Sequence, residues 1–303
     1  MAVDEIIRGA YVDLHDLLAL RFRPLAEPRL AATVVSARGG TRLSKLHGRG
    51  IDFSEVRPYQ PGDDVRTIDW KVTARRNIVH TKVFREERER LTLVVVDQTQ
   101  SMFFGSHVRL KSVAAAEFAA LAAWRSISHN DRVGGVIIGN RELAIHKPYR
   151  NVKPLARFFG DLVRLNRALV PGSPLPGRQH VTDALMRVRR LARSHYRIYF
   201  ISDFDPVGEH WQETFRALAR HNEVVAIRVY DPLERELPPA DRYTVTDGRD
   251  RWQFDAGDRR FRERYRRRFE AAERDFETMC RNNMVATASL STDDNVQRAV
   301  GWL

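Results

Sequence analysis

The spacing of apolar and polar positions changes several times along this chain. Over residues 1–30, Leu14, Leu17, Leu18 and Phe22 recur at helical spacing, and Pro24 ends the run. Residues 36–62 show no period and are rich in Gly, Arg and Pro, which predicts irregular or short-strand structure. A short helix is expected over 63–75. Asp63 and Asp64 stand at its start, where the helix dipole favours acids. Residues 78–85 read as a strand.

Beyond Arg90 the pattern becomes an alternation of strands and helices. Leu91 to Val96 is an apolar, β-branched run, as a strand buried on both faces should be. Further strands are expected at 133–138, 143–146, 197–202 and 223–230. Helices are expected at 109–128, 152–169, 181–193, 210–221 and 258–282, with a Pro/Gly loop at 171–177. Strands alternating with helices of this length predict an α/β fold: a mostly parallel sheet with helices on both faces.

Composition narrows the class. A chain of 303 residues can bury a large core without a disulfide or a metal. Its single cysteine, Cys280, excludes an internal disulfide framework and reads as a core residue. No stretch approaches the roughly 18–20 apolar residues that span a bilayer. The first residues lack the pattern of a signal peptide, so a cytoplasmic location is expected. No Gly-x-x-x-x-Gly-Lys phosphate loop occurs.

The formal charge of +12 draws attention to basic surfaces. The densest cluster is Arg259, Arg260, Arg262, Arg264, Arg266, Arg267 and Arg268. Glu263, Glu270, Glu273 and Glu277 interleave with it at helical spacings and predict a solvated, self-paired helix face. A docking stripe for an acidic partner is the alternative. No nucleic-acid motif accompanies the charge, so nucleic acid is not the expected partner.

In an open α/β sheet, ligands bind beyond the carboxyl ends of the strands. The first strand after Arg90 ends in Asp97-Gln98-Thr99-Gln100-Ser101, and a later one in Ser202-Asp203-Phe204-Asp205. The loop before the 181–193 helix holds Gln179, His180 and Thr182. If these loops converge they offer hard oxygen donors, which suit Mg²⁺.

Asp97-x-Thr99-x-Ser101 resembles the Asp-x-Ser-x-Ser of the metal-ion-dependent adhesion site in von Willebrand factor A domains. The stretch from Gly48 to Arg75, including Arg57-Pro58-Tyr59-Gln60-Pro61-Gly62-Asp63-Asp64-Val65-Arg66-Thr67-Ile68-Asp69-Trp70, resembles the hallmark of the bacterial domain-of-unknown-function family fifty-eight. Ser202-Asp203-Phe204 and Asp231 to Leu237 extend that likeness over roughly residues 36–240. The resemblance implies a von Willebrand factor A-like domain over 91–303, ending in C-terminal helices, and an N-terminal extension over 1–90. It also implies a non-enzymatic adaptor for a MoxR-type AAA+ ATPase. The carried-over metal ligands are Asp97, Thr99, Ser101 and Asp203, with an acidic side chain of a partner completing the coordination. The second-loop ligand position falls on Gln179, where the family has Thr. Arg57, Asp63, Asp64, Arg66, Asp69, Trp70 and Arg75 form a mixed-charge block around one aromatic. It is expected to be a buried ion-pair network, with a partner surface as the alternative. Two other functions stay open on the residues alone. One is a metal-dependent phosphoesterase using Asp97 and Asp203, although no positioned nucleophile–base pair is visible. The other is a basic-surface binder of nucleic acid or another anionic partner.

Overall fold

A computed structural model describes residues 6–23, 51–86, 89–205, 208–246 and 251–297. The chain divides into two compact units. The described residues 6–23 belong with those from 90 onward, and the second unit lies within 38–89. This redraws the division expected at residue 90. The physical reason is burial: Val12, Leu17 and Leu20 are packed into the core of the larger unit. Trp124 Nε1 donates to Leu17 O at 2.9 Å, Val12 N to Asn166 Oδ1 at 3.0 Å, and Tyr11 OH to Leu169 O at 2.8 Å. The helix in this segment, α1 (Leu14–Ala19), is short and runs into a 3-10 turn at Leu20–Phe22.

In the smaller unit, β1 (Ile51–Pro58) pairs antiparallel with β2 (His80–Glu86), and α2 (Trp70–Arg76) lies between them in sequence. The helix expected over 63–75 is split. Asp64 caps a 3-10 turn at Val65–Thr67 by accepting from Arg66 N. Asp69 then caps α2 by accepting from Lys71 N and Val72 N. Side-chain caps of this kind satisfy amide hydrogens that a helix start leaves unpaired.

The larger unit continues with β3 (Leu91–Gln98), α3 (Lys111–Ser128), β4 (Arg132–Gly139), β5 (Leu143–Tyr149), α4 (Val152–Arg167) and α5 (Arg178–Leu191). It goes on through β6 (Tyr196–Ser202), α6 (Glu209–Leu218), β7 (Glu223–Tyr230), α7 (Pro232–Arg235), β8 (Arg242–Thr246), β9 (Arg251–Asp255), α8 (Arg259–Asn282) and β10 (Ala286–Ser291). Six strands form one sheet in the order β10-β7-β6-β3-β4-β5. Every neighbouring pair is parallel except β4–β5. The β8–β9 hairpin stands apart from this sheet. The strand order reverses direction between β3 and β6, and that crevice is where such sheets bind ligands.

Strand β3 shows why the sheet is covered on both faces. Leu93 and Val95 enter a core with α5, α6 and α8, whereas Val94 and Val96 enter one with α1, α3 and α4. The period of two sends successive side chains to opposite faces, and each buried aliphatic contributes about 1.5–3 kcal/mol. Close approach is set by glycine: a Cβ at Gly135 would lie 2.1 Å from the Phe158 ring. The last element corrects an expectation, because the C-terminal region holds the edge strand β10 as well as α8. Among the described residues no helix is long and apolar enough to cross a membrane.

Candidate functional site

Strands β3 and β6 run side by side, so their carboxyl ends deliver Asp97 and Ser202-Asp203 to one edge. Ser202 Oγ donates to Asp97 Oδ2 at 2.6 Å, which joins the two loops directly. The other carboxylate oxygen of Asp97 accepts from Thr99 N at 2.9 Å. That turn places the Thr99 and Ser101 hydroxyls 3.1 Å apart. Four of the five expected ligands, Asp97, Thr99, Ser101 and Asp203, therefore belong to one cluster.

The Asp203 loop is held by strain and packing. Phe204 adopts φ of 54°, a left-handed conformation that is unfavourable by roughly 1–2 kcal/mol for a residue with a Cβ. Its buried ring offsets this by packing edge-to-face with Trp211 and at a tilt against Phe276, each 4.8 Å away between centroids. Phe204 N also donates to Ser202 Oγ at 3.1 Å. The arrangement fixes Asp203 where β6 ends.

The charge balance is asymmetric. Lys111, at the first turn of α3, has a side chain only 3% exposed. Its Nζ lies 3.0 Å from Asp203 Oδ2 and 2.7 Å from Glu234 Oε1. Those two carboxylates keep the buried ammonium protonated well above the ordinary lysine range, against the opposing pull of burial. Among the described residues Asp97 has no such cation. Burial, and then the neighbouring Asp203 charge, push its carboxyl up to about 6. Glu234 is itself placed by a capping box. Asp231 accepts from Leu233 N at 2.9 Å, and Glu234 accepts from Asp231 N at 2.9 Å. Asp231 also accepts from Ser106 N at 2.9 Å and from Thr292 Oγ1 at 2.6 Å. The Asp231-Pro232-Leu233-Glu234 motif thus supplies the second counter-ion to Lys111.

The fifth expected ligand lies elsewhere. Gln179 is exposed at the start of α5, and its amide donates to Asp183 Oδ1 at 2.8 Å. Thr182 is bonded back to Arg178 O at 3.0 Å, and His180 Nε2 pairs with Gly139 O at 2.7 Å. The second loop therefore adds no side chain to the cluster. Instead, Asn140 in the β4–β5 turn accepts from Gln100 N at 2.7 Å and steadies the first loop. Sequence reasoning gave Ser202 and Glu234 a place in the motifs but no role in the site, and it missed Lys111. The available signals were a lysine opening an otherwise Ala-rich helix and an Asp-Pro-x-Glu capping pattern.

As donors, Asp97, Thr99, Ser101 and Asp203 suit a hard divalent cation. Asp203 meets Lys111 through Oδ2, while its Oδ1 accepts from Asp205 N at 3.3 Å and has a further lone pair to offer. Among the described residues no three His, Cys, Asp or Glu side chains are placed to hold a metal ion together, so the set depends on its two hydroxyls.

The mixed-charge block does not form the buried network expected of it. Arg57 pairs with Asp63 at 2.6 Å, and Lys82 faces Asp69 at 3.6 Å. Asp63 is held below the usual carboxylate range chiefly by its hydrogen bond from Arg57. Asp64 and Asp69 serve as caps. Trp70, the proposed centre, is 69% exposed, and Arg66 and Arg75 are exposed as well. Local caps and two ion pairs account for the acids without burial.

Comparison with known proteins adds a family. The model of the family described as "Protein of unknown function DUF58" matches residues 55–276. The uncharacterized protein Rv1480 of Mycobacterium tuberculosis is 33% identical over 209 residues, which cover 69% of this chain and 64% of the relative. The chain thus spans under two thirds of that relative's length. The uncharacterized protein YeaD of Bacillus subtilis is 32% identical over 83 residues, covering 24% of this chain and 21% of YeaD. Among solved structures, the conserved hypothetical protein BatB of Bacteroides thetaiotaomicron is similar at 11% identity and a TM-score of 0.45, covering 70% of this chain and 96% of BatB. That likeness is too distant to bear on fold or function. The family match extends over most of the chain and includes the Asp97, Asp203 and Asp231 loops, so the chain belongs to the DUF58 family of proteins of unknown function.

Proposed function

We propose that this chain is a cytosolic, von Willebrand factor A-like interaction module without enzymatic activity. It acts as an adaptor of a MoxR-type AAA+ ATPase in the assembly of other proteins, and its partner docks at the Asp97–Asp203 edge. The observation that carries the reading is the meeting of two loops at the sheet's switch point, sealed by the Ser202–Asp97 hydrogen bond of 2.6 Å. The strand order, with one antiparallel edge strand beyond β4, supports a von Willebrand factor A-like arrangement. The ATPase partnership rests on the motif resemblance. Asp97, Thr99, Ser101 and Asp203 would hold Mg²⁺, and the bound cation would present an open position to a partner carboxylate. Lys111 fixes Asp203, and Ser202 and Thr99 N orient Asp97, so the donors are pre-arranged.

Calorimetry of Mg²⁺ binding by the parent and by Asp97→Ala tests the site. Binding by the parent and its loss in the variant are expected; equal binding by both would remove Asp97. Co-precipitation with a MoxR-type ATPase, with and without ATP, tests the partner. Nucleotide-dependent capture is expected, and its absence would overturn the partnership.

A further inference from the structure

Basic charge on this protein is arranged differently on two surfaces. On α8, Arg267 meets Glu263 at 2.6 Å, and Arg266 and Arg274 face Glu270 at 3.8 Å. The hollow beside that helix is lined by Arg259, Arg262 and Arg266 together with Glu236 and Glu263, so it carries its own acids. A second groove, between α5 and α6, has a volume of about 390 Å³ and no carboxylate in its lining. Arg189, Arg190 and Arg193 rim it, Met186 and Ala217 supply apolar surface, and Leu218 lies buried beneath.

The pattern is written into α5. Met186, Arg189 and Arg190 follow the i, i+3, i+4 spacing that brings side chains to one helical face, and Arg193 follows two residues beyond the helix end at Leu191. One arginine in a last turn would complement the helix dipole, but three around an apolar patch exceed that need. Met186 is 38% exposed on this face. The end of the groove is rigid. Asn222 accepts from Tyr196 N at 3.0 Å and donates to Ala192 O at 3.2 Å, and His195 N donates to His221 O at 2.9 Å. Ala192 and Leu218 immediately precede β6 and β7. The groove therefore lies at the amino-terminal edge of the sheet, opposite the Asp97–Asp203 edge.

We propose that this groove docks an acidic, amphipathic segment of a partner protein. Its carboxylates pair with Arg189, Arg190 and Arg193, and an apolar side chain settles against Met186 and Ala217. Charge complementarity names the partner's sign, and the apolar floor favours a peptide over a nucleic-acid backbone, whose phosphates call for cations alone. The inference is independent of the cation site.

Anisotropy titration of a fluorescein-labelled Glu-rich peptide carrying leucines at i, i+3 and i+4 tests it on the full chain. The parent is expected to bind with an affinity that falls as salt rises. The triple variant Arg189→Glu, Arg190→Glu, Arg193→Glu is expected to weaken binding by about tenfold or more, or about 1.4 kcal/mol. Arg259→Glu with Arg266→Glu is expected to change it by less than about twofold, within the small effect of rim charges that already have acidic neighbours. Replacing the peptide's leucines by serine is expected to weaken it as well. Unchanged binding by the triple variant, equal binding of the serine peptide, or tighter binding of a single-stranded oligonucleotide of equal charge would each overturn the proposal.

Discussion

Asp97 and Asp203 end neighbouring strands, yet only Asp203 has a lysine against it. Of the two, Asp97 is thus the one whose charge the fold tolerates less. Its native carboxyl titrates near 6, above its ordinary value of 3.8. Between these values the folded state binds more protons than the unfolded state, so stability falls as pH rises through that window. Removing the charge should reverse this. Asp97→Asn is expected to raise stability at pH 7.5 by about 1–3 kcal/mol, the scale of a pKa displaced by about two units. The gain should vanish near pH 4, as read by thermal melts across pH. The opposite outcome is expected at the facing lysine. Lys111→Met leaves Asp203 and Glu234 without their buried cation, and should destabilise by about 3–5 kcal/mol in denaturant titration. At this scale the oxygen donors were legible because their types and spacing are local. Lys111 was not, because its partners Asp203 and Glu234 lie 92 and 123 residues away.

Among the elements, those with strong periodicity or clear boundaries were read well. Strand β3 is a continuous apolar run bounded by charge, and α8 starts where Asp258 caps it by accepting from Arg260 N and Phe261 N. Elements whose residues carry little pattern were missed. Strand β10, Ala-Thr-Ala-Ser-Leu-Ser, is small and polar because it lies at the sheet edge, and its register comes from β7. The β8–β9 hairpin is mostly exposed, so no buried face marks it. Helix α2 was anticipated, but its start shifted because Asp69 caps it and Asp64 caps the separate turn before it. Element packing also makes a sharp test. Gly135→Ala drives a Cβ to 2.1 Å from the Phe158 ring, so β4 or α4 must move. Overpacking of this kind should destabilise by about 1–3 kcal/mol, seen as a lower urea midpoint with the slope unchanged.

The whole molecule depends on a segment whose sequence looks detachable. Residues 6–23 sit far from the sheet in sequence, but Val12, Leu17 and Leu20 are at most 1% exposed in its core. A buried chain of amides and carbonyls runs from Val12 N through Asn166 and Gln98 to Ser112 O. Deleting residues 1–23 should remove about 5 kcal/mol or more, at about 1.5–3 kcal/mol for each of three core side chains. Calorimetry should register a fall of about 10 °C or more in melting temperature. A truncated protein that melts with the parent would show that this burial adds nothing. By itself the sequence determined the alternation of strands and helices, the oxygen-rich strand ends and the excess of basic charge, since each follows from composition or short-range spacing. Only the tertiary structure decided that Lys111 neutralises Asp203 and not Asp97, that Gln179 turns to Asp183, that Trp70 stays exposed, and that Arg189, Arg190 and Arg193 rim a groove with no carboxylate in its lining. Those outcomes depend on which distant segments pack together, and burial sets the strength of every charge that packing encloses.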